Sequence, residues 1–150
     1  MKKIIAAFDG LKYSESTADY AVYLAKQTNT HLVGVFLDDP TYTSYKIYDL
    51  ITKDGASEDK LRKLDAKDKA TRNIASANFE KACQNAGLQY TVHHDHNIAL
   101  QELKHESIYA DLVIIDSKET LTHYTEKLPT RFIRDLLSDP DAIDLATFNR

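Results

Sequence analysis

Three groups of residues have the types and spacing from which chemistry is built. His93-His94-Asp95-His96 sets four potential metal ligands in a row. Side chains alternate along a strand, so His94 and His96 would share one face and His93 and Asp95 the other. Neither pair supplies the three or four convergent donors of a stable site, and the expectation is a solvated strand end with no metal. Cys83 is the single cysteine, and it shares a helical face with Ala75, Phe79, Ala82 and Ala86. That pattern makes it a small core residue, because a nucleophile would need an activating neighbour that the sequence does not show. The third group is Asp9 and Asp116, each ending an apolar run, together with the stretch DSKETLTHYTEKLPT from Asp116 to Thr130. A turn that leaves a strand and enters a helix is where an α/β protein often cradles phosphate on glycine backbone. This turn contains no glycine and begins with acids. No histidine or nucleophile is tied to the two aspartates by spacing, so no catalytic residue is assigned.

The bulk composition limits what such groups can serve. A chain of 150 residues that is 43% hydrophobic and 28% charged fits one globular domain with its own core. Lys and Arg number 19 against 23 Asp and Glu, a net charge of −4, so the basic surplus of a nucleic-acid binder is absent. Asp9-Gly10 interrupts the first apolar run too early for a signal peptide or a membrane span. A lone cysteine agrees with a reducing compartment, and the expected location is the cytoplasm.

Strand-like and helix-like segments alternate along the chain. Lys3 to Phe8 is a run suited to a strand covered on both faces. Ser14 is a helix cap, Glu15 and Asp19 place negative charge in the first turn, and Ala18, Ala21, Val22 and Ala25 recur at helical spacing up to Asn29. His31 to Leu37 is a second strand, ended by Asp38-Asp39-Pro40. Thr41 to Arg72 reads as a long connection, mobile at its tyrosine-rich start and helical toward its end, where the mixed charges of Lys60 to Arg72 suit a solvated face. A helix through Ala75 to Ala86 stops at Gly87. Leu88 to Val92, Leu112 to Ile115 and Ala142 to Phe148 are the remaining strands, with helices over Asn97 to Ser107 and Arg131 to Leu137. Asp144 interrupts the last strand, where a continuous apolar run is usual. Crossings of this length imply an α/β fold, an open doubly wound parallel sheet of five strands in the order 3-2-1-4-5. That order brings Asp9 and Asp116 to the switch point, where open sheets bind ligands.

Several of these residues carry a family resemblance. Lys3-Ile4-Ile5-Ala6-Ala7-Phe8-Asp9-Gly10, with Ser14, Ala21 and Leu24-Ala25 following, resembles the opening of a universal stress protein, and Ala110 to Ile115 resembles that family's fourth strand. The resemblance implies a Rossmann-like fold of the adenine nucleotide alpha hydrolase-like kind. It also implies a homodimer formed through the fifth strand, although Asp144 makes that edge less inviting. Some relatives carry two such domains in one chain.

Nucleotide-binding relatives follow the fourth strand with a glycine, two residues, a second glycine, nine residues, then a glycine and a hydroxyl residue. Laid on this chain without a gap, those positions are Asp116, Glu119, Pro129 and Thr130. Asp9 matches the family's adenosine-side aspartate, Leu37 the position whose backbone faces adenine, and Thr130 the phosphate-side hydroxyl. Asp116 and Glu119 add side chains and negative charge where phosphate would lie, and Pro129 removes a backbone N–H. Two like charges about 4 Å apart near a surface cost on the order of 4 kcal/mol. The resemblance therefore implies a non-catalytic stress-response module with a degenerate nucleotide loop and no ATP. The alternative is a small-ligand or nucleotide binder with an altered pocket and weak hydrolysis.

Overall fold

The structure, a computed structural model, describes residues 2–44 and 58–138 and the backbone of 145–148. Among the described residues nine elements run in chain order: β1 (Lys3–Phe8), α1 (Glu15–Thr28), β2 (His31–Leu37), α2 (Glu58–Asn85), β3 (Tyr90–Asp95), α3 (Ala99–Ser107), β4 (Leu112–Asp116), α4 (Arg131–Leu137) and β5 (Leu145–Phe148). The strands form one sheet in the order β3-β2-β1-β4-β5, with every neighbouring pair parallel. This is the expected α/β architecture and strand order.

The period-two geometry of β1 divides the core between two faces. Ile4, Ala6 and Phe8 point toward α1 and α2, where Ala18, Ala21, Ala25, Phe79 and Cys83 meet them. Ile5 and Ala7 point the other way, into a second cluster with Leu103 of α3 and Phe132, Ile133 and Leu136 of α4. Gly34 of β2 leaves room for the ring of Phe79, because a Cβ there would lie 2.4 Å from that ring's Cε1. Phe79 is fully buried and packs on Phe8 and Phe36. Cys83 is also buried, and desolvation, with Glu80 adding to it, pushes its thiol up to about 12. The core reading of Cys83 holds.

Local signals set the ends of the helices. Ser14 caps α1, its hydroxyl accepting from the Thr17 N–H, and Asn29 closes that helix in the left-handed region at φ 48°. Gly87, at φ 68°, ends α2 as expected. Three boundaries differ from expectation. The charged stretch Lys60 to Arg72 and the apolar stretch from Ala75 are one continuous 28-residue helix, because no glycine or proline separates them. β3 starts two residues later than Leu88 and continues through His93, His94 and Asp95, held in register by Val35, Phe36 and Leu37 of β2. α3 starts at Ala99 and not Asn97. Its N-cap, Ile98, has no capping side chain, and Asp39 from the end of β2 accepts the Ala99 N–H at 3.0 Å. The tyrosine-rich start of the long connection beyond Ser44, and Ala142 to Asp144 of the fifth strand, lie outside the described residues. Among the described residues no helix is long and apolar enough to cross a membrane.

Candidate functional site

β1 and β4 are paired through Ala7 and Ile115, so Asp9 and Asp116 leave adjacent strands at the same edge of the sheet. Both are buried, as are Leu37, Glu119 and Thr130. Each aspartate organises its own turn. The Leu11 N–H donates to Asp9 Oδ1 at 2.9 Å, and the Lys118 N–H donates to Asp116 Oδ1 at 2.8 Å. These are the side-chain-to-backbone turns that aspartate favours. Leu37 sends its side chain into the core beside Val35, Leu103 and Ile115.

The loop after β4 is filled by its own side chains. Glu119 is 2% exposed, and its Oε1 accepts the Leu121 N–H at 3.3 Å. Its backbone carbonyl accepts the Thr130 hydroxyl at 2.7 Å. Thr130 then caps α4, its oxygen accepting the Ile133 N–H at 3.3 Å. The hydroxyl that matched a phosphate contact thus spans the loop and starts the last helix. Thr120 and Thr122 bond the backbone between them and to the Tyr124 carbonyl, which ties the loop to itself. The Lys12 ammonium donates to the Thr122 carbonyl at 2.6 Å and lies 5.5 Å from the centre of the Tyr42 ring, which meets His123 edge-on. The loops after β1, β2 and β4 are therefore joined. Leu121 is the loop residue at positive φ, 52°, and neither Asp116 nor Glu119 adopts the left-handed angles that glycine would supply there.

The histidine stretch behaves as strand alternation requires, but its residues are engaged and not simply solvated. On one face His93 Nδ1 lies 2.9 and 3.1 Å from the two carboxylate oxygens of Glu106 on α3. Asp95, on the same face, has a buried Oδ2 that no donor reaches. Burial, then the Glu106 and Glu102 charges and a hydrogen bond to Glu106, push its carboxyl up to about 6, against a smaller pull from His93. Two carboxylates can share that bond only when one holds a proton, so Asp95 donates to Glu106 when protonated. Among the described residues no group of three His, Cys, Asp or Glu is placed to hold a metal ion.

On the opposite face, His94 and His96 turn toward Asp38. Their Nδ1 atoms each lie 3.7 Å from Asp38 Oδ2, while the Nε of Arg72 on α2 lies 3.2 Å from Oδ1. These residues border a cavity of about 550 Å³ with Lys69 and Asn73 on its helical side. The sequence pattern alone pointed to none of Asp38, Lys69 or Arg72, and Arg72 is largely buried where a solvated face was expected. The available signal was a strand-end Asp-Asp-Pro beside a strand-end His-x-His, and its use depends on β2 and β3 being neighbours.

No protein-family model matches the sequence, and no curated protein matches it. Among solved structures the likeness runs along the whole chain. UspA from Lactobacillus plantarum, a universal stress protein, is 14% identical, with 98% of this chain and 97% of that one covered at a TM-score of 0.63. A universal stress protein family protein from Arabidopsis thaliana, solved with AMP bound, is 11% identical, covering 100% and 92% at a TM-score of 0.58. A member of the same family from Burkholderia pseudomallei is 15% identical, covering 99% and 96% at a TM-score of 0.54. Identity at this level carries architecture and not chemistry. The chain has the universal stress protein fold, a parallel Rossmann-like sheet between two layers of helices.

Proposed function

We propose that this chain is a universal stress protein domain of the kind that does not bind ATP, a non-catalytic cytoplasmic module acting in the stress response through dimerisation or partner binding. The observation that carries this reading is the buried Glu119 carboxylate in the loop after β4, spending its oxygen on the loop's own Leu121 N–H. A phosphate entering there would meet a carboxylate and a backbone donor already used.

The test restores the missing backbone. Asp116→Gly, Glu119→Gly and Pro129→Gly together are expected to raise ATP affinity by roughly tenfold or more, since two negative charges leave and an N–H is regained. Asp116→Asn with Glu119→Gln is expected to recover less, because the side chains still fill the loop. Tight ATP binding by the unaltered protein overturns the reading. A second reading, a small-ligand or nucleotide binder with weak hydrolysis, is favoured by the AMP-bound relative and by the retained Asp9 and Thr130. Titrating AMP and ATP with and without magnesium separates the two, because a metal would bridge the acids to phosphate only if the pocket opens.

A further inference from the structure

The cavity between the ends of β2 and β3 and the flank of α2 belongs to a different part of the sheet edge. None of Asp9, Asp116, Glu119 or Thr130 lines it. Its volume of about 550 Å³ falls within the range of small-molecule sites. The balance of donors and acceptors around it indicates what it would take.

Its carboxylates face donors of the protein itself, although Asp38 Oδ1 is only ion-paired and accepts no hydrogen bond. Asp39 Oδ1 accepts the Thr41 N–H at 2.8 Å and the Thr41 hydroxyl at 2.6 Å, and Oδ2 accepts the Ala99 N–H at 3.0 Å. Burial raises the Asp39 carboxyl, but those bonds outweigh it and hold the group below its ordinary value, so it stays charged as the cap of α3. Asp38 faces Arg72 on one oxygen and the two imidazoles on the other. The donors are in surplus. Lys69 has no acidic partner among the described residues, and His94 and His96 meet Asp38 through Nδ1 while bordering the cavity. Asn73 adds an amide to the same wall. The fixed charges of the lining, Asp38 and Asp39 against Lys69 and Arg72, balance, so the lining as a whole does not repel an anion.

We propose that this cavity is a binding site for a small oxyanion of the sulfate or phosphate class. Lys69 supplies charge at its mouth, and the two imidazoles and the Asn73 amide supply polar contacts. Asp38 holds the imidazoles there and is itself neutralised by Arg72, which keeps a buried acid from rejecting the anion.

The experiment is a titration of the full chain with sodium sulfate, followed by amide and histidine-ring NMR shifts. The expected result is a saturable shift centred on Asp38, Asn73, His94 and His96. Lys69→Ala, on an exposed side chain, is expected to weaken binding about threefold. His94→Gln with His96→Gln is expected to weaken it as well. Inorganic phosphate in a parallel titration is expected to shift the same residues. No saturable shift, shifts confined to other residues, or equal affinity in the Lys69→Ala protein would overturn the proposal. Failure here leaves the ATP test untouched, since that test reads the β1 and β4 edge.

Discussion

Asp95→Asn isolates one titration in an otherwise intact protein. In the folded chain the Asp95 carboxyl is pushed up to about 6 from an ordinary 3.8, first by burial and then by Glu106 and Glu102. Each pKa unit is worth about 1.4 kcal/mol, which sets a ceiling of about 3 kcal/mol. Asp95 is only partly buried, and solvent screening brings the usable figure to about 1–2 kcal/mol. The sign follows from which state holds the proton. Below the unfolded value both states are protonated, and the Asp95–Glu106 bond contributes fully. As pH rises from about 4 to about 6 the unfolded chain has released its proton and the native one must follow, so this contribution is lost and stays lost above. Asparagine is neutral throughout, and its amide can donate to Glu106 at any pH. Urea unfolding across a pH series is expected to show the variant gaining on the natural protein between about pH 4 and 6, then staying about 1–2 kcal/mol ahead. Parallel stability curves, or a variant less stable at about pH 8, would refute the assignment of the shared proton.

The other predictions concern packing and capping. Gly34→Ala forces a methyl to within 2.4 Å of the Phe79 ring, and because that ring is wedged against Phe8 and Phe36 the expected cost is about 2–3 kcal/mol in urea unfolding. Unchanged stability would mean the ring has room to move. Asp39→Ala removes the acceptor for the Ala99 N–H and two bonds from Thr41, and is expected to cost about 1–2 kcal/mol, with faster amide exchange at the start of α3. Exchange at Ala99 as slow as in the natural protein would contradict that cap.

The elements near strong local signals were legible from the sequence. Ser14, Asn29 and Gly87 act within one turn of themselves, and their effects do not depend on distant residues. The alternation of strands with long crossings implied the sheet order, because parallel strands leave few ways to cross. The extent of β3 is not legible in the sequence for the opposite reason. His93, His94 and Asp95 are poor strand formers alone and are strand because β2 lies beside them and Glu106 meets one face. The pattern of α2 changes midway, because its apolar face meets the sheet only from Ala75 onward.

The candidate site divides the same way. The order of residues alone determined that the loop after β4 lacks glycine, because composition at fixed spacing is a one-dimensional property. What fills the space left by those glycines was decided by the fold. Glu119 turns inward onto the Leu121 N–H, Thr130 crosses eleven residues to reach the Glu119 carbonyl, and Lys12 reaches across from β1 to Thr122. The meeting of Asp38 with Arg72, His94 and His96 is likewise a tertiary fact. It joins two neighbouring strand ends and a helix far apart in the chain, and the hydrophobic burial shared by β2 and α2 holds those elements side by side.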